Sequence, residues 1–172
     1  MEKKNRSSLI IIIILLLLLM ATIAVTVWAV FFRDTTPVLA PDYAPQEEDK
    51  NAIDLNDKDT EKLEQSEGGG AVTLSFTKEI VVDLATKTAA ISFDNPARSN
   101  QNMLLQLEIK GVVVAQTGLL RPGRGVRRLD LFDNAVLSPG VYNGKYKVYY
   151  YQDDTGEKTI VNTEIPLKIT VQ

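Results

Sequence analysis

Four arginines fall within eight residues of this sequence, in the stretch "RPGRGVRRL". The planar guanidinium group matches phosphate oxygens with paired hydrogen bonds, so a dense cluster is typical of surfaces that bind anionic polymers or lipid headgroups. Two alternatives stay open: a solvated loop followed by an outward strand face, or neutralisation by acidic residues elsewhere in the chain. The candidate binding residues of this group are Arg121, Arg124, Arg127 and Arg128.

Three consecutive tyrosines in "KYKVYYYQDDTGEK" form a second candidate, because exposed aromatic rings can serve as a platform for a sugar ligand. In a strand, successive side chains point to opposite faces. The face that holds Val148 is predicted to be buried, together with Tyr146 and Tyr150. Tyr149 and Tyr151 are then predicted to point outward, either as cross-strand partners or as candidate binding residues.

The composition excludes several kinds of catalysis. The 172 residues include no cysteine and no histidine, so there is no thiol nucleophile, disulfide, zinc finger or imidazole base. Chemistry based on carboxylates alone remains open. The acidic stretch at 54–59, "DLNDKD", lacks the glycine of a calcium loop, and "DDTGE" at 153–157 reads as a hairpin turn rather than a cation site. We expect no catalytic residues, no metal and no cofactor.

A membrane-spanning helix is predicted over residues 9–32, following a basic head of residues 1–8. These 24 residues carry no charge. As a helix they extend roughly 36 Å, enough to cross a hydrocarbon core of about 30 Å. Trp28, Phe31 and Phe32 are placed where an aromatic belt occurs, and the positive-inside rule predicts a cytoplasmic N-terminus. The predicted partner of this segment is the lipid bilayer.

A cleaved signal peptide is the alternative for the N-terminus. The residues "VLA" at 38–40 have the small side chains that signal peptidases accept. Against cleavage, the apolar run is much longer than that of a signal peptide, and Pro41 follows the cut. We expect the helix to remain attached as an anchor.

Residues 33–70 are predicted to form an acidic, disordered linker. They contain 4 basic and 11 acidic side chains, three prolines and a closing triple glycine. Low hydrophobicity with high charge is typical of segments that do not fold alone.

Residues 71–172 are predicted to fold as an all-β domain, because period-two alternation and turn signals recur every 8–15 residues. Seven or eight short strands in about 100 residues predict an antiparallel β-sandwich of the immunoglobulin-like kind. Pro166, within the last of these strands, predicts an edge position or a bulge.

The stretches "ISFDNPARSN", "AQTGLLRPG" and "LSPGVYNGKYKVYYYQDDTGEKTIVNTEIPLKITV" carry a resemblance across residues 89–172. The chain resembles the outer domains of single-pass, membrane-anchored proteins of Gram-positive bacteria. That resemblance implies an envelope location and an immunoglobulin-like β-sandwich, and it implies no activity and no site residues.

The expected function is therefore that of a membrane-anchored cell-envelope protein. Its extracytoplasmic domain presents a non-catalytic surface to another surface protein or component. The alternative is a module that binds carbohydrate or an anionic wall polymer through the four arginines, Tyr149 and Tyr151. Nucleic acid is not an expected partner, because residues 71–172 carry 12 basic and 10 acidic side chains, a small excess.

Overall fold

The computed structural model describes the backbone of residues 2–31, 39–64 and 70–172, and within the N-terminal helix the side chains of residues 9–26. Two compact units, Met1–Thr36 and Pro37–Gln172, are distinguished by their internal packing. They are described separately below.

The first unit contains helix α1, Glu2–Phe31. Within it, Leu9–Thr26 has a mean hydropathy of 3.2, and every side chain of this stretch is exposed in the isolated chain. Among the described residues, α1 is the one helix long and apolar enough to span a membrane. The predicted aromatic belt of Trp28, Phe31 and Phe32 lies outside the described side chains.

The described residues of the second unit contain nine strands. Their bounds are β1 Ala52–Asp54, β2 Ser75–Phe76, β3 Glu79–Asp83, β4 Thr88–Asn95, β5 Gln101–Ile109, β6 Val112–Gln116, β7 Arg124–Asp130, β8 Gly140–Gln152 and β9 Lys158–Val171. They form one sheet in the order β1-β7-β4-β3-β9-β8-β5-β6, and β2 pairs separately with β4. The sheet curls until the amide of Phe132, just after β7, donates to the carbonyl of Val114 in β6 (2.8 Å).

This architecture confirms the predicted all-β, sandwich-like domain preceded by one helix. It differs in one pairing, because β3 and β9 run parallel, with Glu79 beside Lys168 and Val82 beside Val171. The other pairs between strands are antiparallel. The parallel pair joins strands far apart in the sequence, so no hairpin signal could have indicated it.

The core follows from side-chain alternation on the inner faces of the strands. In β9, Ile165, Leu167, Ile169 and Val171 are all buried, at every second position. The ring of Tyr146 meets the edge of Phe93 at a centroid distance of 6.0 Å, which joins β8 to β4 across the layers. Strand β5 is buried along its whole length, since it is covered on both faces.

The predicted disordered linker requires a correction for residues 39–64, which we call the strap. The strap belongs to the same compact unit as the strands, and its residues 52–54 form β1, paired with β7. Further along it, Leu63 donates its amide to the carbonyl of Arg98 (3.0 Å). The rest of the predicted linker, at residues 33–38 and 65–69, lies outside the described residues.

Complementary charge and a close approach between backbones explain why so polar a segment packs against the β domain. The strap carries nine acidic and three basic side chains, whereas residues 71–172 carry a basic excess. Asp49 accepts the amide of Gly118 (2.8 Å), and its own amide donates to the carbonyl of Leu119 (3.0 Å). A Cβ at Gly118 would lie 2.9 Å from the Asp49 backbone, so glycine permits this contact. The strap has few apolar side chains, but backbone hydrogen bonds to the domain add to the contacts that hold it in place.

Candidate functional site

The arginine group begins at a tight turn and continues along β7. Gly123 takes a positive φ of 85°, and the amide of Arg124 donates to the carbonyl of Arg121 (3.0 Å). From β7, the side chain of Arg124 reaches the strap, where its Nε lies 3.0 Å from Glu48 Oε1. The second strap carboxylate near it, Asp54, is 3.7 Å from the same guanidinium group.

Two further arginines of this group also have partners. Arg127 donates to Asp94 on the neighbouring strand β4. Arg128 donates to the side-chain oxygen of Asn51 in the strap (2.8 Å) and lies 3.5 Å from Asp130. The pKa of Asp130 is lowered, first by a hydrogen bond from Lys50 and also by the charge of Arg128.

These contacts favour the alternative in which acidic residues neutralise the arginines in cis. Arg121 is exposed, as Arg127 and Arg128 are, but it differs from the other three because its side chain has no ion pair or hydrogen bond within the described part of the chain. Binding of an anionic polymer by the four arginines stays a prediction. The geometry leaves Arg121 as the one guanidinium of this group that is free for it among the described residues.

The tyrosines divide differently from the sequence prediction. Tyr146 and Tyr150 are buried on the inner face of β8, with Val148 between them, as predicted. Tyr149 is half-buried on the other face. The predicted outward position of Tyr151 is wrong, because this residue is fully buried.

The strap is the reason that Tyr151 is buried. The ring of Tyr151 packs with Leu104 of β5 and with Ala40 of the strap. The Tyr151 hydroxyl donates to the carbonyl of Pro41 (3.0 Å). Burial, together with the charge of Asp42 and the neighbouring Tyr149, raises the pKa of Tyr151 to about 12. The ring therefore presents no surface for a ligand. The alternation of side chains assigned Tyr151 to the correct face of β8, but the strap covers that face at this position.

The turn between β8 and β9 is a hairpin, as the sequence predicted. Gly156 takes a positive φ of 71°, and its amide donates to the carbonyl of Gln152 (2.9 Å). Asp153 accepts a hydrogen bond from Asn102 (3.0 Å), so this carboxylate is engaged within the domain. Among the described residues there is no group of three or more acidic side chains placed to hold a metal ion.

A strand edge that the sequence hardly signals lies on β9. On one side, β9 pairs with β8 at Lys158 and from Asn162 to Val171, and a register shift leaves residues 159–161 between them unpaired. On the other side, β3 covers only residues 168–171. At the opposite end of β9, the amide of Lys158 donates to the carbonyl of Asp42 in the strap (2.9 Å). Residues 160–166 between these contacts have no backbone partner on this side among the described residues. Pro166 stands at this edge, which confirms the edge position predicted for it.

A cleft of about 460 Å³ lies beside this edge, between Gly70 and Val72 on one side and β8 and β9 on the other. Its walls include Val72, Tyr150, Val161 and Thr163. The hydroxyls of Tyr150 and Thr163 are hydrogen-bonded across its floor (2.6 Å). At its rim, Ile160 is fully exposed and Val161 is 68% exposed. Both side chains are exposed because the register shift between β8 and β9 interrupts the strand alternation at residues 159–161, which the sequence pattern did not indicate.

Comparison with known proteins finds similarity in structure but not in sequence family. No family model and no curated protein matches the chain. Among solved structures, the chain is similar to AggA, the major subunit of aggregative adherence fimbriae type I from Escherichia coli. The similarity is 12% in sequence identity, covers 64% of this chain and 99% of the fimbrial subunit, and has a TM-score of 0.31.

Proposed function

We propose that this protein is a membrane-anchored component of a bacterial cell envelope, of the Gram-positive kind that its sequence resembles. Its helix holds it in the membrane with the N-terminus in the cytoplasm. Its β domain stands outside as a non-catalytic surface for interaction or assembly with another surface component. The carrying observation is the fully exposed apolar surface of Leu9–Thr26, joined to a separately packed β domain.

Exposing the apolar surface of Leu9–Thr26 to water costs free energy, and this cost supports the anchor. Soluble proteins rarely expose contiguous apolar patches of more than a few hundred Å², and larger ones mark membrane or protein contacts. Within a bilayer, the helix satisfies its own backbone hydrogen bonds. The packing of Ala40 supports a retained helix, since this residue lies against Leu104 and Tyr151. Cleavage after Ala40 would remove that contact.

The state of the carboxylates supports a non-catalytic role. The Glu108 side chain, deep on the outer face of β5, lies 2.6 Å from Lys147 and 3.6 Å from Lys145. Glu164 pairs with Lys145 (2.9 Å), which lowers the pKa of Glu164. A general acid needs a raised pKa, whereas the hydrogen bond from Lys145 lowers the pKa of Glu164.

The polymer-binding alternative receives less support from the geometry. Of its six candidate residues, Tyr151 is buried, and Arg124, Arg127 and Arg128 are engaged with acidic or amide partners. Arg121 and Tyr149 remain as residues through which it could act.

Membrane extraction tests the proposal. The full chain should stay in the membrane pellet after alkaline carbonate washing. A triple variant with Ile13→Arg, Leu16→Arg and Met20→Arg should be released, because three arginines near the helix centre cost roughly 8–10 kcal/mol of insertion free energy. The matched control, with alanine at the same three positions, should remain in the pellet. Release of the wild-type chain, or a mature chain that begins at Pro41, would contradict the anchor.

A further inference from the structure

We propose that the strap is a competitive cover, and that the surface beneath and beside it binds an extended anionic polymer with a phosphate backbone. The bases of this surface, which we call the basic track, are Arg98, Arg121, Arg124, Arg128 and Lys158. This inference rests on the proposed function and deepens it, because it names the class of surface component that the β domain binds.

The strap is itself an anionic chain that lies along the basic track. It has nine acidic side chains, and those that pair with bases of the β domain are spread along its length. The pairs are Asp42 with Lys158 (2.9 Å), Glu48 and Asp54 with Arg124 (3.0 and 3.7 Å), and Asp59 with Arg98 (3.3 Å). A polymer whose negative charges recur along an extended chain matches the same bases.

The strap also accounts for most of the candidate binding residues that are engaged within the domain. It holds Arg124 and Arg128 through their guanidinium groups, and it covers the ring of Tyr151. Arg127 differs, because its carboxylate partner lies on β4. Displacement of the strap would therefore add three candidate residues to Arg121, which is exposed already.

The basic track follows a path across several elements of the domain. Lys158 begins β9 and Arg124 begins β7, and these strands are separated in the sheet by β3 and β4. Arg98 lies in the loop that follows β4. A single flexible chain reaches these bases in turn, as the strap does. This path favours a linear polymer over a flat lipid surface as the occupant.

The ion pairs of the strap lie near the surface, so a polymer can exchange with them. Arg98 and Asp59, for example, are 45% and 61% exposed, and pairs of this kind contribute little individually. A polymer that binds only the uncovered track has its apparent affinity reduced by the fraction of chains in which the strap is displaced. Weakening the strap should consequently strengthen polymer binding.

Neutralising chosen carboxylates of the strap tests this competition. The test variant is Glu48→Gln with Asp54→Asn, which removes the two strap charges beside Arg124. The matched control is Glu61→Gln with Glu64→Gln, which changes the net charge equally at exposed strap residues that form no ion pair among the described residues. Binding of long-chain inorganic polyphosphate to the full chain in detergent is measured at one fixed ionic strength, because salt screens exposed charges.

We expect the test variant to bind polyphosphate about tenfold more tightly than the wild type, and the control to change by less than about threefold. Adding Arg124→Gln and Arg128→Gln to the test variant should reverse the gain. Equal gains in the test and control variants would overturn the proposal, since net charge alone would then explain binding. A gain that survives the loss of both arginines would also overturn it.

A disulfide that fixes the strap provides an independent test, because the natural chain has no cysteine. Ala52 of β1 is opposite Val126 of β7, and opposite residues of antiparallel strands are close enough for a disulfide. The oxidised chain with Ala52→Cys and Val126→Cys should bind polyphosphate more weakly than its reduced form. Equal binding by the two forms would contradict displacement of the strap.

Lipid nanodiscs distinguish a polymer from a lipid surface. In phosphatidylcholine nanodiscs, polyphosphate should speed tryptic cutting at Lys50, because it stabilises the displaced strap. If phosphatidylglycerol in the bilayer has this effect and polyphosphate does not, the occupant is a lipid surface and the proposal is wrong. Binding in detergent does not require an anchored chain, so its failure leaves the anchor intact. Release of the chain in the carbonate test likewise leaves the binding result intact.

Discussion

The hydroxyl of Tyr151 donates a 3.0 Å hydrogen bond to the carbonyl of Pro41, 110 residues earlier in the chain. This bond joins the strap to the outer face of β8, beside the ion pair between Lys158 and Asp42 (2.9 Å). The two contacts fix the start of the strap against the hairpin of β8 and β9. The strap, residues 39–64, is consequently part of the domain rather than a free spacer.

The first prediction concerns this contact. Tyr151→Ala removes a fully buried ring and should lower the free energy of unfolding by about 3–5 kcal/mol. Tyr151→Phe should cost about 1 kcal/mol, the net value of its hydrogen bond. Tyr149→Ala, the neighbouring half-buried control, should cost only about 0.2–1 kcal/mol. Denaturant midpoints of the full chain in detergent measure the stability of the three variants. Equal losses for the two alanine variants would place Tyr151 at the surface.

The second prediction concerns the path of the strap. In the wild-type chain, trypsin should cut slowly at Lys50 and Lys62, because the strap is held by backbone hydrogen bonds on both sides of them. In Tyr151→Ala the same sites should become more sensitive, since the first attachment of the strap is lost. Timed digestion followed by mass spectrometry measures this. Rapid cutting at Lys50 in the wild type would contradict the packed strap and support the prediction of a disordered linker.

The third prediction separates two buried tyrosines by their hydroxyl groups. Tyr146 is fully buried, and its hydroxyl has no hydrogen-bond partner among the described residues. Tyr146→Phe should therefore be neutral or slightly stabilising. Tyr150→Phe should cost about 1 kcal/mol, because it breaks the bond to Thr163. A destabilising Tyr146→Phe, measured by thermal unfolding, would indicate a partner for that hydroxyl.

The fourth prediction is a loss of stability at alkaline pH. Burial raises the pKa of Tyr151 from 10.0 to about 12, so the unfolded chain ionises this residue first. Above pH 10 the folded state binds more protons than the unfolded state, and stability must fall as the pH rises through this range. The denaturant midpoint, followed from pH 9 to 12, should fall less steeply in Tyr151→Phe. Identical slopes in the two proteins would show that Tyr151 ionises normally when folded.

The sequence was sufficient to predict the inner faces of the domain. Tyr146, Val148 and Tyr150 alternate as period two requires, and Pro166 indicated an edge that the structure contains. Both inferences depend on local geometry. Each strand carries its own pattern of apolar side chains, whichever neighbours it acquires.

The strap could not be predicted from the same kind of pattern. Its stability comes from contacts with residues distant in the sequence, such as Asp49 with Gly118 and Arg124 with Glu48. Composition alone predicts disorder for a segment with this charge and so few apolar residues. The position of Tyr151 depends on the strap, so the error about the linker also produced the error about this residue.

The location of the β domain outside the membrane is tested most directly by labelling introduced cysteines in whole cells. Val136→Cys provides an exposed site in the β domain, and Ser7→Cys provides one in the basic head. A membrane-impermeant maleimide should label Val136→Cys in intact cells, and Ser7→Cys only after permeabilisation. Labelling of Ser7→Cys in intact cells, with Val136→Cys protected until permeabilisation, would contradict the proposed topology and the role in the envelope that depends on it.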